Sequence, residues 1–133
     1  MRNPAEDIAD LLESEDFDGG LVKGKNLFIG RFPASPDFCV AVIDAGGPPP
    51  HLSLGEESLR CVDAMVYVRH PQYRDGYEVM VSIFDYLKIK TNIELQDARY
   101  LAIMAKGEGS FLKTDEKDRS VFRCLFGTQI SDK

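Results

Sequence analysis

The clearest pattern of apolar and polar positions runs through residues 61–69, where the two kinds of side chain alternate. A period of two is typical of a half-buried β-strand, because successive side chains of a strand point to opposite faces. The apolar face carries Val62, Ala64, Val66 and Val68. His70-Pro71 then favours a turn, since proline pushes the preceding residue out of the α region and itself suits a first helical turn. The pattern predicts a strand that leads through a sharp turn into the next element.

That next element is predicted to be an amphipathic helix that folds back over the strand. Its apolar residues recur at spacings of three and four, which places them on one helix face. They are Tyr77, Met80, Val81, Phe84 and Leu87. The opposite face is polar and carries Arg74, Asp75, Glu78, Ser82 and Asp85. We expect this face to contact water or a neighbouring chain.

A first helix is predicted over residues 3–15. Asn3 suits the N-cap and Pro4 suits the first helical position. The apolar stripe consists of Ile8, Leu11 and Leu12. The carboxylates Glu6, Asp7, Asp10 and Glu13 are expected on the solvent side, as a hydrated helix face rather than a catalytic pair of acids.

Four further segments have the composition of β-strands. Residues 26–32 and 38–44 are close enough in sequence to pair as an antiparallel hairpin. Residues 98–106 alternate Tyr100, Ala102 and Met104 with Leu101, Ile103 and Ala105, and residues 120–126 alternate Phe122, Cys124 and Phe126 with Val121, Arg123 and Leu125. Residues 91–97 are interpreted as a connector. The elements predict a single α+β domain, with a mainly antiparallel sheet of about four to five strands and two helices packed on one face.

Two long loops remain between the predicted elements. Residues 45–57 contain Pro48-Pro49-Pro50, which cannot join a β-ladder and favours an extended polyproline conformation. Residues 107–119 form a hairpin loop with the apolar pair Phe111 and Leu112 near its middle. Because long ordered loops in compact domains are usually functional, we expect both to act as arms that contact neighbouring subunits.

Composition and charge narrow the function. The 133 residues carry 16 basic and 22 acidic side chains, a net charge of −6. This acidity argues against a surface that grips duplex nucleic acid, so we interpret the arginines and tyrosines of the strands as polar edge and interface residues instead of a nucleic-acid platform. No apolar run reaches the ~20 residues that a membrane helix needs, and the polar, acidic N-terminus is not expected to act as a secretory signal.

The sequence contains no pattern typical of an enzyme or a metal site. His51 and His70 have no second ligand at helical or hairpin spacing, and Gly46-Gly47 is followed by prolines where a phosphate-binding loop needs its lysine. The cysteines are Cys39, Cys61 and Cys124. We expect buried free thiols; the alternative for an odd number is a disulfide between subunits. No catalytic residue, metal or cofactor is predicted.

Several segments, in order along the chain, resemble one family. They are NPAEDIADLL (3–12), NLFIGR (26–31), CVAVIDAGGP (39–48), VYVR (66–69), YRDGY (73–77) and RYL (99–101). Together they are similar to the tail terminator, or tail completion, proteins of tailed bacteriophages, which are also called phage minor capsid proteins.

The resemblance implies a structural virion protein at the junction of tail and neck, assembled in the host cytoplasm. Members of the family form a hexameric ring that caps the tail tube, ends its polymerisation and joins the tail to neck or head-completion proteins. A tail sheath would be a further partner if the tail is contractile. DNA only passes through the lumen, and six copies would multiply the net charge of −6 into an acidic ring that repels it. A head-side neck adaptor and a small ligand-binding α+β module are the alternatives.

We predict that subunit and partner contacts come from the two loops, and that Arg69 and Arg74 pair across a subunit boundary. The alternative for each is a plain surface element. The complete set is Gly46, Gly47, Pro48, Pro49, Pro50, His51, Arg69, Tyr73, Arg74, Phe111, Leu112, Lys113, Asp115 and Lys117.

Overall fold

The structure, a computed structural model, describes residues 4–15, 20–46, 51–52, 58–95 and 98–132. Along them the elements are α1 (Pro4–Ser14), β1 (Leu27–Ile29), β2 (Cys39–Gly46), β3 (His51–Leu52), β4 (Ser58–His70), α2 (Tyr73–Leu87), β5 (Ile89–Leu95), β6 (Ala98–Ala105), β7 (Ser110–Thr114) and β8 (Ser120–Asp132). The predicted N-cap Asn3 and residues 47–50 and 53–57 of the predicted proline arm lie outside the described residues. No helix within the described ranges is long and apolar enough to cross a membrane.

The strands form one eight-stranded sheet with the order β1-β2-β4-β8-β6-β5, in which β3 also pairs with β4 and β7 with β8. Every pair is antiparallel except β1 with β2. The predicted α+β class is therefore confirmed. The described chain has more strands than the predicted four to five, because the loops and the connector contain β3, β5 and β7.

The predicted antiparallel hairpin between the first two strands is wrong. β1 and β2 run parallel, with Leu27 opposite Val40. Residues 30–38 therefore do not form a tight hairpin turn; they lead the chain back to the level at which β1 began. Two arginines that follow later in the chain hold this segment through its carbonyl groups, as described below, and sequence proximity alone does not show such contacts.

Two segments that were predicted to be irregular are strands. The connector over residues 91–97 mostly belongs to β5, which pairs with β6 and places Ile93 opposite Tyr100. Asn92 interrupts the regular strand backbone, because it adopts a positive φ of 53°. Asparagine tolerates this conformation well. The loop over residues 107–119 contains β7, which pairs with β8. β8 is 13 residues long, so its first half remains available to β7 while its second half pairs with β6.

Both helices pack on one face of the sheet and enclose the main core. On β4 the buried side chains include Ala64, Val66 and Val68, and on β8 they include Phe122, Cys124 and Phe126, which confirms the predicted alternation of these two central strands. β6 departs from its predicted pattern. A bulge between Tyr100 and Ala102 inserts one residue, so Tyr100 and Ile103 both join the core while Met104 is 39% exposed.

The buried face of α2 is rotated relative to the prediction. Its buried residues are Gly76, Val79, Met80, Ile83 and Leu87, whereas Tyr77 is 47% exposed. Gly76 explains the rotation, because a Cβ atom there would lie 2.7 Å from Cε1 of Phe122. The helix can lie close to β8 at Gly76, because glycine has no side chain to separate them.

One carboxylate of α1 does not lie on the predicted solvent side. Asp7 is 1% exposed, and its Oδ2 accepts a hydrogen bond of 2.5 Å from the hydroxyl of Tyr100. A buried carboxylate needs such a partner, and this one comes from a residue 93 positions away. Asp10 and Glu13 hold the chain after the helix instead, since both carboxylates form ion pairs with the ammonium of Lys23.

Candidate assembly surface

Four aromatic side chains meet where the start of α2 lies over β7 and β8. We call Tyr73, Tyr77, Phe111 and Phe122 the aromatic patch. The ring centroid of Tyr73 lies 5.4 Å from that of Phe111 and 5.2 Å from that of Phe122, and the centroids of Phe111 and Phe122 are 5.6 Å apart. These separations are typical of interacting aromatic pairs. Phe122 is fully buried, whereas Tyr73 is 54%, Tyr77 47% and Phe111 43% exposed.

Local structure explains why these rings meet. Tyr73 and Tyr77 are four residues apart in α2 and therefore project from the same side of the helix, with ring centroids 6.5 Å apart. The β7–β8 register places Phe111 opposite Phe122. Gly76 lets the helix rest directly on the Phe122 ring. The buried Phe122 is thus the floor of the patch, and the other three rings form its exposed rim.

A groove of mainly apolar lining, with two charged side chains, borders the patch on α2. The groove has a volume of about 520 Å³ and is lined by Tyr73, Arg74, Tyr77 and Glu78. Arg74 Nε lies 3.6 Å from Glu78 Oε1, and the two side chains are 87% and 60% exposed. An ion pair this exposed contributes little to stability. Aromatic surface with a polar rim is the composition of protein–protein interfaces.

The opposite face of the sheet, at the same end, has a different chemistry. Arg69 is only 4% exposed, and its guanidinium donates hydrogen bonds of 2.6 Å to the carbonyl of Pro36 and 3.3 Å to that of Asp37. The guanidinium also lies 4.7 Å from the centre of the Phe32 ring. The structure therefore gives Arg69 an internal role, which leaves little of its side chain for the predicted contact across a subunit boundary.

Arg119, which directly precedes β8, holds the same segment, although no sequence pattern singled it out. It is 6% exposed and donates to the carbonyl of Ala34 at 2.6 Å, with Oδ1 of Asp37 at 3.2 Å. Its Nε also donates to Oδ2 of Asp115 at 2.8 Å. We call Arg69, Arg119 and residues 32–37 the arginine cluster.

Asp115 supports this cluster from the turn between β7 and β8. Its Oδ1 accepts hydrogen bonds from the backbone N–H groups of Lys117 and Arg119, at 3.0 and 2.9 Å. Desolvation alone would raise the pKa of the Asp115 carboxyl, but the hydrogen bonds from Arg119 and Lys117 outweigh it and lower that pKa below its ordinary value. Asp115 was predicted as a partner contact, and in the structure its carboxylate binds within its own chain.

A second surface feature lies on the sheet face away from the helices. Lys106 Nζ lies 3.0 Å from Asp63 Oδ2, and the lysine side chain crosses β8 at Gly127 to reach it. A Cβ atom at Gly127 would lie 3.0 Å from Cδ of Lys106. The adjoining hollow holds only about 130 Å³. This ion pair links β4 to the end of β6 across β8.

The remaining predicted contact residues are distributed as follows. Tyr73 and Phe111 meet in the aromatic patch, with Arg74 at its groove, and Leu112, Lys113 and Lys117 are exposed on β7 or the turn after it. Gly46 ends β2 with a φ of 76°. The backbone of His51 pairs with that of Leu59, and Gly47, Pro48, Pro49 and Pro50 lie outside the described residues. Contacts of these residues with other chains stay predictions.

The three cysteines form no disulfide with one another. Cys39 and Cys124 are buried and Cys61 is half-buried. Burial raises the pKa of the Cys124 thiol to about 12 and also raises that of Cys39, where Arg69 and Arg119 oppose the shift. A thiol with a raised pKa is a poor nucleophile. Among the described residues, no group of histidine, cysteine, aspartate and glutamate is placed to hold a metal ion.

Comparison with known proteins assigns the chain to a family. No curated protein matches this sequence. The fold is similar to a chain from the virion of a native gene transfer agent (GTA) particle, with a TM-score of 0.68 and 11% sequence identity over 96% of this chain and 94% of that one. A family model described as bacteriophage tail terminator protein matches residues 16–131. The chain is therefore a member of the bacteriophage tail terminator protein family, a family of structural phage proteins.

Proposed function

We propose that this protein forms a ring, hexameric as the family resemblance implies, that caps the tail tube, ends its polymerisation and joins the tail to the neck. Family membership over residues 16–131 supports the role in the tail. The structural observation that carries the proposal is the aromatic patch, whose rim exposes three rings to solvent. Large exposed aromatic surface at a well-packed site is what binding partners use most effectively.

The mechanism would be binding rather than catalysis. A tube grows because each ring presents a face that accepts the next ring, so growth is an open series of head-to-tail contacts. A capping ring binds the last tube ring through one face and offers a different face on its other side. Polymerisation then ends because a further tube ring finds no complementary surface. The outer face remains available to the neck proteins.

The test is the tail phenotype of phage that lack this protein, viewed by electron microscopy. We expect over-long tails that fail to join heads, and normal tails when the wild-type gene is restored. A variant with Tyr73→Ser and Tyr77→Ser should restore tail length poorly, whereas the exposed control Lys25→Ser should restore it fully. Circular dichroism would show that both variants fold.

Normal-length tails beside DNA-filled heads would sink the proposal. Such particles would place the protein on the head side of the neck, as a head-completion adaptor. Full restoration by the tyrosine variant would instead separate capping from the aromatic patch, and it would direct the search for contacts to the other exposed residues of β7.

A further inference from the structure

Ile89 is an exposed apolar residue at an edge of the sheet. It is 72% exposed, more than any other large hydrophobic side chain among the described residues. It begins β5, which ends the strand order, immediately after α2. Lys88 and Lys90 flank it. Such an edge is an available contact surface, because an outer strand has one row of backbone groups that its own sheet does not use.

Ile89 and the aromatic patch lie at opposite ends of α2. The helix has 15 residues, and at a rise of about 1.5 Å per residue it separates the two surfaces by roughly 22 Å. The two cannot meet within one molecule. A ring, however, is built from contacts between two different surfaces of the same chain, one on each neighbour. One molecule thus presents two separate apolar surfaces of the kind that a ring contact joins.

We propose that residues 88–90 of one copy dock into the groove beside the aromatic patch of the next copy, with Ile89 against the exposed rings of Tyr73 and Tyr77. This inference rests on the proposed function, in which copies of the chain assemble into a ring. It identifies the partner of the patch as a second copy of this chain, in preference to the tail tube protein or a neck protein.

The charges around the two surfaces are complementary. The groove itself is lined by the cation Arg74 and the carboxylate Glu78, and Asp75 is a second exposed carboxylate at the start of α2. Carboxylates therefore outnumber cations at this end of the helix, whereas the edge segment has lysines on both sides of Ile89. Lysine stems also pack well on aromatic rings, as Lys90 does here, with its Nζ 3.9 Å from the centre of the Tyr86 ring.

The present partners of these charges can be exchanged at little cost. Lys88 Nζ lies 3.4 Å from Asp85 Oδ1, with both side chains more than half exposed, and the Arg74–Glu78 pair is also exposed. Surface pairs of this kind contribute little to stability. Docking would therefore replace two weak pairs by contacts that exclude water.

Disulfide cross-linking tests the contact directly. Arg74→Cys and Ile89→Cys would be combined in a Cys61→Ser background, which leaves the tyrosines and Glu78 in place. Since a disulfide requires Cα atoms within about 7 Å, the two new thiols cannot bridge within one chain. We expect oxidation of tails purified from the phage to give a ladder of covalently linked copies. The control pair Arg74→Cys and Val22→Cys also joins a groove residue to an exposed apolar residue, and it should give no ladder.

The outcomes separate this contact from the proposed function. If the double variant behaves like its control in assembled tails, the contact is rejected, and a cross-link to the tube or a neck protein would reject it by assigning the groove to that partner. If a ladder forms while phage without the protein make tails of normal length, the contact stands and the capping function fails. Over-long tails without a ladder would give the opposite result.

Discussion

The aromatic patch and the arginine cluster lie at the same end of the sheet, on opposite faces. Neighbouring positions of β4 and β8 build both: Val68 lies opposite Phe122, and Arg69 lies opposite Val121. Because successive strand residues point to opposite faces, one step along the chain changes an aromatic environment into a guanidinium environment. The two faces differ in how many of their side chains are already buried and bonded within the chain.

The arginine cluster is satisfied within its own chain. Both guanidinium groups are buried and donate to carbonyl or carboxylate oxygens of the same molecule. The aromatic patch has a buried floor, but its rim leaves apolar surface exposed. The buried arginines thus make their contacts within the chain, and the exposed aromatic rings are the surface that we propose for a partner. Variants in the two regions should accordingly affect different properties.

The largest expected effect comes from the floor of the patch, where the two roles meet. Phe122→Ala removes a fully buried ring, and such truncations cost about 3–5 kcal/mol in the free energy of unfolding. Tyr73→Ala removes a ring that is 54% exposed and should cost about 1 kcal/mol. Urea titration measures both. Equal losses would show that the rim is as much a part of the core as the floor.

The next largest effect is expected at Arg69, which the sequence did not distinguish from Arg74. Arg69→Met leaves the carbonyl groups of Pro36 and Asp37 without their guanidinium donor, so the free energy of unfolding should fall by about 1–3 kcal/mol. Arg74→Met is the matched control: its side chain is 87% exposed, and the change should stay within about 0.5 kcal/mol.

The effects of these two variants on incorporation into tails should have the reverse order, with the larger effect at Arg74. Arg74 lines the groove beside the patch, so Arg74→Met is the variant expected to reduce incorporation into tails, although only in part, because the tyrosine rings and Glu78 remain. The comparison between the two faces would fail if Arg69→Met folded with wild-type stability yet was absent from tails, because Arg69 would then act as a contact residue.

The sequence was most informative where a central strand has an uninterrupted pattern. The period of two correctly identified the core-facing side chains of β4 and β8, since neither contains a bulge over residues 61–69 or 120–126, although Arg69 and Val121 on the other face are also buried. The same reasoning failed on β6, where one inserted residue shifts the faces, and on β5, where Asn92 interrupts the pattern. A bulge depends on backbone conformation, and apolar periodicity does not report it.

Contacts between distant segments explain the other differences. The direction of β1 relative to β2 depends on a segment held by Arg69 and Arg119, and the burial of Asp7 depends on Tyr100. Tyr73 and Phe111 were each singled out as contact residues, but their meeting depends on the register of β7 against β8, a pairing that the sequence did not predict.

The smallest effect concerns the pH dependence of the arginine cluster. The pKa of Asp115 is lowered in the folded protein, so its ionised form stabilises the fold. This contribution is fully present above the unfolded pKa of about 3.9 and is lost as the pH falls through the folded value. The stability advantage of the wild type over Asp115→Asn should therefore be constant near neutral pH and shrink below about pH 4. Thermal unfolding at several pH values measures this difference.

Glu116→Gln is the matched control for that measurement, because it removes an exposed carboxylate from the same turn. An advantage that persists unchanged to pH 2 would mean that the neutral acid serves Arg119 as well as the carboxylate does. The turn would then be held by hydrogen-bond geometry alone, and the difference between the two faces would be one of burial rather than of charge.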